Sequence, residues 1–156
     1  MTKRKAPMNR SEMMSRIGPK NTKPEMIIRK GLHSLGFRYR LHQKSLPGCP
    51  DLVLKKHHTA IFIQGCFWHA HDGCRFFRLP KTNTEFWAKK LESNRLRDMN
   101  VTNSLLQSGW RVLKIWECAI RVMPINKILE LIASWLIGNY KYGSFSEAVI
   151  QFNNQT

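Results

Sequence analysis

The chain has 156 residues, enough for one domain with a single core, and 42% of them are apolar. Twenty-six Lys and Arg against ten Asp and Glu leave a formal charge of +16, which points to a polyanionic partner, nucleic acid ahead of an anionic membrane. The longest apolar segment, LIASWLI at 131–137, is far shorter than the ~20 residues of a membrane-spanning helix, and no stretch resembles a signal peptide, so the reading is a soluble, cytoplasmic protein with reduced thiols.

Residues 1–21 are basic and lack an apolar run; Met8, Met13, Met14 and Ile17 are scattered among Lys and Arg, which reads as an arm. Thr22, Pro24 and Glu25 open a helix over 22–35, with Ile28, Leu32 and Leu35 on one face and Gly36 as its stop. Three strands follow. FRYRLH alternates apolar and polar residues, DLVLKK comes after a Pro-Gly-Cys-Pro turn at 47–50, and TAIFIQ comes after a His-His turn. Thr82 and Glu85 have the spacing of a capping box and begin a long helix on which Trp87, Leu91, Asn94, Asp98, Val101 and Leu105 recur at three and four residues, up to Gly109. WRVLKIWE is a fourth strand leading to Cys118, and Ile125 to Ile137 form a last amphipathic helix ended by Gly138. The polar segment 139–156 has no readable pattern. The order α-β-β-β-α-β-α predicts an α/β fold, a mixed sheet flanked by helices, with the third and fourth strands parallel neighbours across the long helix.

The segment IFIQGCFWHAHDGC, residues 61–74, crowds two Cys, two His and a Phe-Trp pair against an apolar run. Cys66, His71 and Cys74, with the distant Cys118, supply three sulfurs and one imidazole, the tetrahedral set of a closed zinc site. The alternative is four unconnected small buried residues. A filled site leaves no place for water, so such a zinc holds structure and the chemistry lies elsewhere. Cys49 takes no role.

The scarcity of acids shortens the search for a catalyst. Asp51 follows Pro50 at the start of a strand, where it either holds a divalent cation or hydrogen-bonds its turn. Glu25 sits in the first turn of the first helix, where its spacing from Thr22 also fits a capping box. His69 is a satisfied loop histidine, a spare zinc ligand or a general base.

Together LPGCPDLVL, IFIQGCFWHAHDGC, TEFW with KKLESNRLRD, and GWRVLKIWECAIR closely resemble the very-short-patch repair (Vsr) endonucleases, over about Met8 to Arg121. The resemblance implies a restriction-endonuclease-like fold with one structural Zn²⁺. It also implies Mg²⁺-dependent, strand-specific nicking 5′ of the mismatched thymine in T:G mispairs, which arise when 5-methylcytosine deaminates. Double-stranded DNA with a T:G mispair is then the partner, mismatch-repair proteins are candidate further partners, and a monomer suits a one-strand nick. Two other readings stay open: a restriction-type nuclease on the same fold, and a zinc-stabilised DNA-binding module without chemistry.

By motif, Asp51 resembles the Mg²⁺ carboxylate, with the backbone carbonyl of Ile63 as second ligand, His69 the base, and Glu25 the supporting acid. Cys66, His71, Cys74 and Cys118 match the zinc set. Phe67, Trp68 and Trp87 match aromatics that wedge into the duplex, which accounts for a Phe-Trp pair that need not be buried in the protein; spacing alone favours core packing for Trp87. Met14 and Ile17 match insertions from the opposite groove, and Lys90 and Asn94 match readers of the mispair, although both also suit a solvated helix flank. Gln64 departs from the family, many of whose members have His there. An amide cannot shuttle protons but can still donate a hydrogen bond to a phosphate oxygen. Gly73 lengthens the zinc loop by one residue. The expected organisation is a DNA-contacting arm at 1–21, an endonuclease domain at 22–138 and a polar tail at 139–156.

Overall fold

The computed structural model describes residues 7–16, 18 and 20–154. Ile17 therefore lies outside the described residues.

The three central strands follow from their apolar patterns, and two helices follow from their caps. Helix α2 (Lys23–Ser34) starts where the Thr22 hydroxyl accepts the Glu25 N–H and Pro24 occupies the first turn. Only half of the expected capping box forms, because the Glu25 carboxylate turns to the Asn21 N–H at 2.8 Å. Ahead of it, the arm contains a short helix that composition concealed: α1 (Arg10–Ser15) has a complete capping box between Asn9 and Glu12. The first strand is much shorter than its alternation suggests. Strand β1 is only Arg40–Leu41, paired with β2 (Leu52–Leu54). A single 3₁₀ turn and His58 in left-handed conformation then lead to β3 at Thr59–Gln64, as expected.

Helix α3 (Thr84–Gln107) does not use Thr82 as its cap; Asn83, in left-handed conformation, precedes it without a side-chain cap, and the Thr84 hydroxyl donates back to the Pro80 carbonyl. Strand β4 (Arg111–Trp116) is parallel to β3, as the crossover requires. Cys118 is not at its end but on an unforeseen short helix, α4 (Glu117–Val122), and α5 spans Ile125–Ile137.

The expected polar tail is part of the sheet. Strand β5 (Tyr142–Phe145) pairs parallel to β4, and β6 (Ile150–Asn153) closes the edge antiparallel to β5. Among the described residues the strands lie in sequence order, β1 to β6. The parallel β4–β5 step was hidden because β5 reads YGSF, with a Gly and a Ser. Gly143 is required there by packing: a Cβ would stand 2.4 Å from Trp135 Nε1.

Alternation along β3 separates two cores. Ile61 and Ile63 pack with Ile28 and Leu32 of α2 and Ile128, Ile132 and Trp135 of α5; Ala60 and Phe62 pack with Val101 and Leu105 of α3. The result is three layers, α2 and α5, then the sheet, then α3. Arg111 stitches the first two, its guanidinium donating to the carbonyls of Trp135, Leu136 and Gly138 at 2.8–3.0 Å, where the C-terminal dipole of α5 favours a cation. No helix among the described residues is long and apolar enough to cross a membrane.

Candidate active site and metal centre

Strand β3 carries its last residue, Gln64, to the end of the sheet on the same face as Phe62, toward α3. A cleft of about 430 Å³ opens there, bordered by Asp51, Ile63, Gln64, His69, His42 and Asp98. Asp51 is fixed at 2.8 Å by the Ile63 N–H, which its Oδ2 accepts just beyond the last β2–β3 pair, Leu52 with Ile61. Within a strand the N–H and C=O of one residue point the same way, so the Ile63 carbonyl faces the Asp51 edge as well. The preceding turn is tight: Gly48 has φ 73 and a Cβ there would lie 2.4 Å from Val101 Cγ1, so glycine alone lets α3 close on this corner.

Glu25 reaches the same place from α2, almost fully buried, with Oε1 at 2.6 Å from His42 Nε2 and 3.7 Å from Arg29 Nη1. Burial, with the nearby Glu25 charge adding to it, pushes the Asp51 carboxyl up from 3.8 to about 6. A carboxylate held away from water beside a second acid suits a divalent cation, and Glu25, His42 and Asp51 each place one donor atom within 4.8 Å of the others.

His69 stands opposite. Its Nδ1 lies 2.5 Å from Asp98 Oδ2 on α3. A carboxylate only accepts, so Nδ1 carries the hydrogen, and in the neutral ring Nε2 is the nitrogen with the lone pair. The loop holding His69 is wound by its own backbone bonds, His69 N–H to the Gly65 carbonyl and His71 N–H to the Cys66 carbonyl.

The second centre joins Cys66, His71, Cys74 and Cys118, whose ligand atoms also lie within 4.8 Å of one another. Cys118 Sγ is 3.6 Å from His71 Nδ1, and the His71 ring stacks on Trp116 at 3.9 Å. Hydrogen bonding from Cys66 pulls the Cys118 thiol down to about 5, while that bond and burial push the Cys66 thiol up. The pair gives up one proton readily and the second only against a neighbouring charge, which is the electrostatic need that a dication meets. Gly73 takes φ 67, a left-handed turn that glycine adopts without steric cost. The tail helps to build this centre: the Glu147 N–H donates to Cys118 Sγ at 3.3 Å, and Arg75 pairs with Glu147 at 2.7 Å.

The aromatic residues form a third group, and here an expectation fails. Phe67 is not left in water but is 2% exposed, packed with Trp87, which is 3% exposed, and with Ala70 and Leu91. Trp68 is half-buried at the margin. Helix α1 covers the cluster: Met14 packs on it, the Arg10 guanidinium lies over Phe67, and Trp87 Nε1 donates to the Ser11 hydroxyl at 2.6 Å. Asn94 has a structural task as well, since its amide donates to the Trp68 carbonyl at 2.9 Å, whereas Lys90 is exposed.

The expected cleft residues thus come together, and so do the four zinc-type ligands. Sequence reasoning missed His42 and Asp98. An acid on the buried stripe of α3, in a chain with only ten acids, was a usable signal for Asp98; the place of His42 depends on where a two-residue strand ends, and no local pattern announces it.

A family model described as DNA mismatch endonuclease Vsr matches residues 3–75. The type II nicking enzyme V.XorIIP of Xanthomonas oryzae pv. oryzae is 45% identical over 120 residues, 77% of this chain and 88% of its own length. The type II nicking enzyme V.NmeAIP of Neisseria meningitidis is 44% identical over 112 residues, 72% of this chain and 79% of its own. The DNA mismatch endonuclease Vsr of Escherichia coli K12 is 38% identical over 132 residues, 83% and 84% of the two chains.

Proposed function

The chain belongs to the Vsr family of DNA mismatch endonucleases and is an endonuclease, and from that premise we propose that it nicks one strand of duplex DNA 5′ of the thymine in a T:G mispair, with Mg²⁺. The observation that carries this reading is the convergence of Asp51, the Ile63 edge, Glu25 and the His69–Asp98 pair on one open cleft. The proposed fold type is restriction-endonuclease-like, and the proposed setting is a cytoplasmic monomer with an N-terminal DNA-contacting arm.

Asp51 and the Ile63 carbonyl hold the magnesium, which when bound supplies neutralisation of charge on the phosphate. Glu25 keeps the pocket acidic beside it. His69 accepts the proton of the attacking water at Nε2, and Asp98 holds the ring in the tautomer that leaves Nε2 free. Gln64 donates its amide hydrogen to a phosphate oxygen. The net reaction adds water across one P–O bond.

Cys66, His71, Cys74 and Cys118 hold Zn²⁺, which stiffens the loop bearing Phe67, Trp68 and His69. Phe67, Trp68 and Trp87 stack against bases at the mispair, where unstacking is cheaper than at a matched pair. Because α1 covers Phe67 and Trp87 in the free protein, that step includes a shift of α1, which carries Met14, toward the DNA. Lys90 and Asn94, one helical turn apart on α3, face the mispair. Removing residues 1–20 is expected to flatten the salt dependence of DNA binding, because the arm's Lys and Arg contact phosphates.

End-labelled duplexes carrying T:G or T:A in the same context test the whole. With Mg²⁺, the expected product is one nick, 5′ of the mispaired thymine. Equal cutting of matched DNA, or of both strands, would replace this reading with a restriction-type nuclease.

A further inference from the structure

The cleft holds one imidazole that the proposed reaction does not use. His42 directly follows β1 in left-handed conformation, φ 44, and its N–H donates to the Asp51 carbonyl at 3.1 Å, so its backbone is tied to the residue beside which its ring lies. The ring meets Glu25 Oε1 at 2.6 Å, with the two side chains 14% and 2% exposed. Glu25 is aimed by its own partners, since Oε2 accepts the Asn21 N–H and Arg29 stands behind Oε1. A buried acid, a half-buried acid and a histidine therefore reach one point from α2, the end of β1 and the start of β2.

Their spacing is close to that of a single ion's shell, with Glu25 Oε1 and His42 Nε2, now 2.6 Å apart in hydrogen-bond contact, needing to part by a few tenths of an ångström. Donors bound at about 2.1 Å stand about 3 Å apart when adjacent and about 4.2 Å when opposite; the three donor atoms lie within 4.8 Å of one another. We propose that His42 is a metal ligand, and that Glu25, His42 and Asp51 form a mixed nitrogen–oxygen site that takes a first-row transition dication such as Mn²⁺ in preference to Mg²⁺. The proposal rests on the reading of Asp51 as a cation carboxylate and extends it, since an imidazole donor strengthens a preference for Mn²⁺ that oxygen donors alone leave weaker. Magnesium keeps its waters and favours oxygen donors, whereas imidazole raises affinity for ions later in the first row. The hydrogen shared between Nε2 and Oε1 in the free protein leaves as the ion enters.

The test is direct binding of Mn²⁺ to the full chain, purified without chelators, read as loss of the free-ion signal in electron paramagnetic resonance. His42→Gln is expected to weaken Mn²⁺ binding about tenfold or more, with the larger part of the loss in Mn²⁺ rather than Mg²⁺ affinity when Mg²⁺ is titrated in as a competitor. Asp51→Asn is expected to abolish both. The wild-type protein supplies an independent measurement, because a nitrogen ligand gives ¹⁴N modulation in the spin-echo decay of bound Mn²⁺. Unchanged Mn²⁺ affinity in His42→Gln, or absence of ¹⁴N modulation in the wild type, would overturn the proposal. Modulation that persists in His42→Gln would do so too. If Asp51→Asn kept both Mn²⁺ binding and Mg²⁺-dependent nicking, the underlying reading of Asp51 would fall instead.

Discussion

Two clusters of ligands in this molecule contrast at every point. The cysteine centre takes soft donors from the 66–74 loop and from α4, buries two of them completely, and is backed by the Trp116 stack and the Arg75–Glu147 pair. Its four protein donors would fill every position of a tetrahedral ion and leave none for water. The cleft offers carboxylates and imidazoles and stays open over about 430 Å³. The difference teaches that a chain can assign rigidity and reactivity to neighbouring centres by donor type and by how many positions it fills.

Breaking the closed centre should have the largest effect. Cys118→Ser removes a thiolate and is expected to lower the unfolding free energy by at least about 4 kcal/mol, a fraction of the ~10–16 kcal/mol a structural zinc supplies to small metal-dependent domains. Chemical unfolding, with and without a chelator on the wild type, reads this.

Asp51→Asn should break the open centre in two opposite senses. Nicking should fall by more than about 10³-fold, since the residue left cannot hold the cation. Stability should rise. Burial raises the Asp51 carboxyl to about 6 in the folded state; the folded protein therefore binds the proton more tightly than the unfolded chain, and that stabilisation is complete below the ordinary value of 3.8 and is lost as pH rises through 6. In Mg²⁺-free buffer the variant should exceed the wild type by about 2–3 kcal/mol at pH 8 and by only about 0.5 kcal/mol at pH 4. Melts at the two pH values check the sign.

Asp98→Asn sharpens the contrast within the cleft. It keeps a hydrogen-bonding side chain beside His69 but not the charge, and is expected to lower kcat by about 10–100-fold and displace the pH–rate profile, with KM nearly unchanged. Single-turnover nicking over a pH series measures it. The smallest effect belongs to Arg75→Ala, where an ion pair with one exposed partner supports the closed centre from outside: about 0.5–1 kcal/mol of stability, with nicking unaltered.

Much of this arrangement was legible because it is local. The β3 run, the α5 stripe and the parallel β3–β4 crossover follow from periodicity and connection length, and the metal ligands of the 66–74 loop are close in sequence. What escaped notice depends on distant partners. Strand β5 has few apolar residues because Trp135 and Leu113 occupy the space above Gly143, so its burial is visible only once α5 is in place. Phe67 read as a ring that need not be buried, yet Met14 of α1, Trp87 and Phe77 pack around it. Asn94 suited a solvated helix flank by sequence, yet it is buried with its amide on the Trp68 carbonyl. In each case the missing information was which surface would face the residue, a property of the assembled tertiary structure.

Helix α3 runs about 36 Å, and along that single rod sit Trp87 in the aromatic cluster, Asn94 on the Trp68 carbonyl, Asp98 on His69 and Val101 against Gly48. It therefore acts as a camshaft: any rotation or sliding imposed at the end that carries Trp87 is transmitted to the histidine and to the turn before Asp51. Phase along this rod matters more than the chemistry of its intervening surface. One residue inserted between Leu91 and Asn94 would turn the far end by about 100° and leave each part intact but out of time with the other.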